Sequence, residues 1–124
     1  MGRNHLLYLI IAVVTVVGLF YLTKPKSNYN PQPNSQVKTF DLVVKNKKLV
    51  SGQETLKVTE GDQVTINITN DEPEELHLHG YDKSVDLEAS KAAQLKFSAN
   101  LTGRFSYELE HSKIEIGVLE VQPK

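Results

Sequence analysis

Apolar residues alternate with polar ones through most of the chain after residue 36, and this period of two constrains the fold more than any other feature. Successive side chains of a β-strand point to opposite faces of a sheet, so alternation indicates strands with one buried face. No segment after residue 30 has a convincing helical period. The alternating runs cover residues 40–44, 56–58, 64–68, 76–78, 95–97, 105–109 and 114–121.

Turn sequences separate these runs. They are Ser51-Gly, Glu60-Gly-Asp, Asn70-Asp-Glu-Pro, His79-Gly-Tyr-Asp and Asn100-Leu-Thr-Gly. In the last run the apolar parity changes near Gly117, which predicts a β-bulge there. Short strands with this spacing, about seven or eight of them, predict an all-β sandwich in residues 36–124.

The N-terminal part of the chain has a different pattern. Residues 6–22 form an uncharged apolar run of seventeen residues, which as a helix would be roughly 25 Å long, at the short end of a bilayer span. A cleaved signal peptide is the alternative, but the run ends in Phe20-Tyr-Leu-Thr-Lys-Pro-Lys, which is a poor cleavage site. The sequence therefore favours an uncleaved N-terminal transmembrane helix within residues 1–22.

A Pro- and Asn-rich segment, residues 23–35, follows the predicted helix and is typical of an extended linker. A short N-terminal tail usually stays inside the cell, so we expect a single-pass membrane protein whose C-terminal domain is extracytoplasmic, in the periplasm or at the cell surface. The net charge of the chain is -1, which gives no electrostatic basis for binding nucleic acid.

The chain has no cysteine, and its single methionine is Met1. This excludes disulfides, iron–sulfur clusters, a cysteine nucleophile and every copper centre with a thiolate ligand. Imidazole and carboxylate groups remain as metal ligands.

Three of the four histidines lie in two short segments. Because Leu76 and Leu78 share one face of their strand, His77 and His79 share the other. His111 follows the run of residues 105–109 at the end of the predicted strand, and loops at one end of a sandwich gather residues that are distant in sequence. The candidate metal ligands are His79, His77 and His111, with Glu110 or Glu108 as an oxygen donor. The alternative is that these side chains are solvated polar residues without a metal.

These motifs resemble the cupredoxin family. Val58-Thr-Glu-Gly-Asp-Gln-Val-Thr-Ile-Asn-Ile-Thr-Asn70 is similar to the Gly-Asp turn and the strand that follows it in cupredoxins. Asp71-Glu-Pro-Glu-Glu-Leu-His-Leu-His-Gly-Tyr81 is similar to the acidic, His-Gly-aromatic stretch of copper domains, which carries the first copper ligand. The segment from Gly103 to His111 resembles the first strand of the closing hairpin. The resemblance covers about residues 36–123 and implies a Greek-key β-sandwich with a copper site in which His79 is the first ligand.

The chain departs from the family at the remaining ligands. The family's cysteine falls on Leu109 and its weak axial methionine on Glu115, while His111 keeps a plausible spacing to Gly117 for the second histidine. Blue and dinuclear copper centres therefore cannot form. The chain is most similar to cysteine-free bacterial members with a His-x-His-Gly-Tyr-Asp stretch.

The sequence thus predicts a membrane-tethered cupredoxin-like domain that binds copper, favouring Cu(II), through histidines. Copper handling fits this ligand set better than electron transfer, and no catalytic motif indicates an enzyme. The alternative function is a metal-free interaction module for a membrane or envelope protein partner.

Overall fold

The structure of the protein is a computed structural model, and it describes residues 34–124. The predicted membrane helix within residues 1–22 and the predicted linker up to residue 33 lie outside the described residues. From residue 34 to the last residue, no helix is long and apolar enough to cross a membrane.

Nine β-strands form two sheets in the described residues, which confirms the all-β architecture expected from the alternating pattern. The strands are β1 (Val37–Lys45), β2 (Lys48–Ser51), β3 (Thr55–Thr59), β4 (Gln63–Asn70), β5 (Glu74–Leu78), β6 (Lys83–Leu87), β7 (Ala92–Ser98), β8 (Gly103–Leu109) and β9 (Ile114–Gln122). One sheet has the order β2-β1-β4-β7, and the other has the order β3-β9-β8-β5-β6. The pairs β1–β4 and β3–β9 are parallel, and the other neighbours are antiparallel.

The described part of the chain has nine strands where the sequence predicted seven or eight. The apolar pattern gave no indication of β2 and β6, which lie at edges of their sheets. β2 has no buried residue, and β6 has only Leu87. Edge strands with so little buried surface lack the alternation by which a strand is predicted from sequence.

The core lies between the two sheets and is made by the inward-facing residues of the alternating runs. Along β4 the burial alternates at every residue, with Val64, Ile66 and Ile68 almost completely buried. Within residues 34–124 the buried apolar residues are Leu42, Val44, Leu56, Val58, Val64, Ile66, Ile68, Leu76, Leu78, Leu87, Leu95, Phe97, Ala99, Tyr107, Leu109, Ile116, Leu119 and Val121.

A bulge in β9 lies next to Gly117, as the change of parity predicted. The pairing with β8 moves from Tyr107–Gly117 to Glu108–Glu115, so Ile116 has no partner of its own. Because of this extra residue, even-numbered positions of β9 point inward before Gly117, and odd-numbered positions point inward after it. Residues on both sides of the bulge are therefore buried.

Gly117 also makes room for a buried tyrosine. The Tyr107 ring is fully buried, and its hydroxyl donates a hydrogen bond to the backbone oxygen of Gln53 at 3.0 Å. A Cβ atom on residue 117 would lie 2.1 Å from the Tyr107 hydroxyl oxygen and 2.5 Å from the backbone oxygen of Glu54. Any side chain at this position would collide with both, so the packing of Tyr107 against β9 requires glycine.

Candidate metal centre

Two adjacent strands place four possible metal ligands on the outer face of the five-stranded sheet. On β5, Leu76 and Leu78 are fully buried, and on β8 the same is true of Tyr107 and Leu109. Since side chains alternate between the two faces of a sheet, the intervening and following residues point outward. These outward-facing residues are His77 in β5 and His79 directly after it, and Glu108 in β8 and Glu110 directly after it.

The antiparallel register of β5 and β8 brings the four residues together. His77 lies directly opposite Glu108. The pairing continues one residue beyond β5, where the His79 amide donates a hydrogen bond to the backbone oxygen of Ser106 at 3.0 Å. Side chains on one face of such a pair contact both directly and along the diagonal. The register therefore permits each histidine to contact a carboxylate of β8.

The observed contacts follow the diagonals of the ladder. His77 Nδ1 lies 2.9 Å from Glu110 Oε2, and His79 Nε2 lies 2.9 Å from Glu108 Oε1. The two imidazole ring centres are 4.5 Å apart. One possible ligand atom from each of the four residues lies within 4.8 Å of all the others. We refer to these four residues as the His/Glu cluster.

The turn of residues 79–82, with the sequence His-Gly-Tyr-Asp, fixes the position of the second histidine. Gly80 has a φ angle of +77°, and a Cβ atom there would lie 2.3 Å from the Phe105 ring, so the turn requires glycine. The Tyr81 ring packs on Phe105, and its hydroxyl donates a hydrogen bond to the backbone oxygen of Leu101 at 2.7 Å. The turn that follows His79 is thus held against Phe105 and Leu101.

Glu110 follows β8 directly and is held in place by two groups. Its amide donates a hydrogen bond to the backbone oxygen of Glu75 at 2.8 Å, and its carboxylate accepts one from Lys113 Nζ. Lys113 and the hydrogen bond with His77 hold the pKa of Glu110 down at about 2. This carboxylate is therefore ionised at neutral and at mildly acidic pH. A metal ion would compete with Lys113 for it.

The chemistry of the cluster suits a divalent transition metal. Imidazole is a ligand for zinc, copper, iron and nickel, and two carboxylates supply a charge that balances a divalent ion. Each His–Glu pair lies at 2.9 Å, the length of an ordinary hydrogen bond between an imidazole nitrogen and a carboxylate oxygen, so a bound metal ion would take the place of the shared proton. The side chains are 16% to 44% exposed, so the site is open to solvent.

The structure brings together most of the ligands that the sequence predicted. His77, His79 and Glu110 lie in the cluster, and Glu108, which the sequence offered as an alternative to Glu110, lies there as well. His111 lies outside it. The residue belongs to the turn after β8, and its Nδ1 atom is 3.5 Å from Glu74 Oε2.

No protein-family model and no curated protein matches the sequence, but solved structures match the fold. A chain from the cryo-EM structure of a heme-copper terminal oxidase dimer has a TM-score of 0.56 at 14% identity, over 97% of this chain and all of that one. A copper binding protein, solved by NMR in its apo form, has a TM-score of 0.59 at 12% identity, over 73% of this chain and 93% of that one. The blue copper oxidase from Nitrosomonas europaea has a TM-score of 0.51 at 21% identity.

These likenesses define the class of fold. The chain shares its two-sheet sandwich with copper proteins and with domains of multicopper oxidases, as the cupredoxin resemblance implied. The match covers 73% of this chain and 39% of the Nitrosomonas oxidase, so it corresponds to part of that protein. At such identities the likeness shows the fold alone.

Proposed function

We propose that this protein binds Cu(II) at the His/Glu cluster and acts in copper handling, as a membrane-tethered domain outside the cytoplasm. It is a binding protein in this proposal, not an enzyme. The observation that carries the proposal is the convergence of two imidazoles and two carboxylates within 4.8 Å on one face of the sheet.

Copper is the metal that the ligand set and the fold favour together. At a site of nitrogen and oxygen ligands, Cu(II) binds more tightly than the other common divalent first-row ions. Solved copper proteins share the fold, which supports the same choice. Two neutral imidazoles and two carboxylates carry a charge of about -2, so a bound Cu(II) ion would leave the site neutral.

The same ligands disfavour a role as an electron carrier. The chain has no cysteine, and its methionine is residue 1, outside the described residues. Soft thiolate and thioether ligands stabilise Cu(I), and a site without them favours Cu(II). Storage or delivery of copper requires binding and release but no rapid change of oxidation state.

Titration of the purified 124-residue chain with Cu(II) tests the proposal. We expect saturable binding of about one ion per chain and a pale product, because no thiolate is present for an intense charge-transfer band. Electron paramagnetic resonance should show coupling to imidazole nitrogen. An intense blue band would contradict the ligand assignment, and the absence of saturable binding would favour the metal-free interaction module.

The membrane tether is a separate part of the proposal and rests on the apolar run of residues 6–22. We expect the native protein to sediment with membranes and to be released by detergent but not by high salt or carbonate, because a hydrophobic helix is held by the lipid core. N-terminal sequencing accompanies the fractionation. A mature protein that begins after residue 22 would contradict the tether and support a cleaved signal peptide.

A further inference from the structure

Glu74, the first residue of β5, is a buried carboxylate that takes no part in the His/Glu cluster. Its side chain is 3% exposed, and it points to the same side of the strand as Leu76 and Leu78. Burying a carboxylate is costly unless hydrogen bonds replace the lost water. The partners of Glu74 therefore indicate what the residue does.

The partners of Glu74 lie in the turn between β8 and β9. Its carboxylate accepts a hydrogen bond from the His111 amide at 3.0 Å and another from the Ser112 hydroxyl. The Glu75 amide is a third donor, at 3.3 Å. Burial raises the pKa of Glu74, but the hydrogen bonds from Ser112, Glu75 and His111 outweigh it, and the pKa is lower than that of an ordinary glutamate. Glu74 thus connects β5 to this turn as an ion.

The turn that Glu74 binds contains one residue of the His/Glu cluster. Glu110 is its first residue, and the two residues that Glu74 binds follow directly. We infer that Glu74 is a positioning residue, which fixes the turn after β8 so that the Glu110 carboxylate lies against His77. The inference rests on the proposed function, since it concerns the geometry of that metal site. It also assigns the segment around His111 a role in support of the site.

The test compares Cu(II) affinity in the 124-residue chain and three variants. Glu74→Ala should lower the affinity about tenfold, because loss of groups that orient metal ligands typically costs 10- to 100-fold. If Glu74 acts through Glu110, the same change in a Glu110→Ala background should cost less than about twofold. Hydrogen exchange of the His111 amide should become faster in Glu74→Ala, with or without copper.

Asp62 provides a matched control at the other end of the sandwich. It is also a buried carboxylate, and it accepts hydrogen bonds from the amides of Gln36 and Thr59. Asp62→Ala should reduce stability without changing Cu(II) affinity. If Glu74→Ala does not fold, Glu74→Leu gives the same comparison, because leucine fills much of the buried volume and has no acceptor for the His111 amide or the Ser112 hydroxyl.

The outcomes separate the two proposals. If the unaltered chain binds no Cu(II), both the function and the positioning role are wrong. If it binds and Glu74→Ala has the same affinity, the positioning role alone is wrong. An equal loss with and without Glu110, or an equal loss in Asp62→Ala, would indicate general destabilisation and would also overturn the inference.

Discussion

Replacement of His79 by alanine should lower the Cu(II) affinity of the protein at least about 100-fold, a larger loss than outer-shell groups usually cause. The imidazole supplies one of four ligand atoms, and its Nε2 atom is 2.9 Å from the carboxylate of Glu108. Without it the site keeps one nitrogen donor and two carboxylates, which Cu(II) binds more weakly. Calorimetric titration against a competing chelator measures the change.

His111→Ala is the matched control for this substitution. The His111 side chain is 64% exposed, and the turn uses the His111 amide, which alanine retains. We expect a change in affinity below about twofold. Equal losses in the two variants, or a loss confined to His111→Ala, would refute the cluster as the binding site. Both variants should fold, because neither imidazole is part of the core.

A second large effect is expected in the stability of the sandwich. Gly117→Val places a branched side chain where a Cβ atom alone would lie 2.1 Å from the Tyr107 hydroxyl oxygen. The rigid backbone of Glu54 lies on the same side, so the collision cannot be relieved by a side-chain rotation only. Overpacking of this kind typically costs about 3 kcal/mol, which lowers the Tm of a domain of this size by about 15 °C.

Thermal unfolding followed by circular dichroism measures this shift. Glu115→Ala is the control, since its side chain lies exposed on the same strand and should change the Tm by a few degrees at most. A Gly117→Val variant with the Tm of the unaltered protein would show that Tyr107 does not occupy the described position. The measurement requires no metal and is independent of the proposed function.

The alternation of apolar and polar residues predicts which side chains of a strand point inward and which point outward. This part of the site geometry can be predicted from the sequence. Burial of Leu76 and Leu78 follows from hydrophobicity alone, and the outward direction of His77 and His79 follows from the geometry of a strand. The edge strand β6 could not be predicted in this way, because Leu87 is its one buried residue.

The pattern does not specify which strands are neighbours. His77 and Glu110 are 33 residues apart, and their contact depends on the pairing of β5 with β8, which is a property of the whole sandwich. For the same reason the sequence could not choose between Glu110 and Glu108, although both share a face. The register of β5 against β8 places both glutamates in the cluster.

The supporting role of Glu74 was missed, but the sequence does contain a sign of it. Residue 74 has the same parity as Leu76 and Leu78, so a strand that buries the two leucines also buries the glutamate. A charged residue at an inward position needs partners. Nothing in a single sequence identifies these partners as His111 and Ser112, since they lie 37 and 38 residues away.

The four cluster residues lie on the solvent-facing side of the five-stranded sheet, and the other side of this sheet faces the hydrophobic core. Small zinc domains unfold when a chelator removes their metal, because the ion supplies much of their folding energy. Here the buried leucines of β5 and the buried Tyr107 and Leu109 of β8 hold the two strands in place without an ion. Under the proposed function, the lifetime of the protein and its resistance to proteases would therefore not depend on the copper supply.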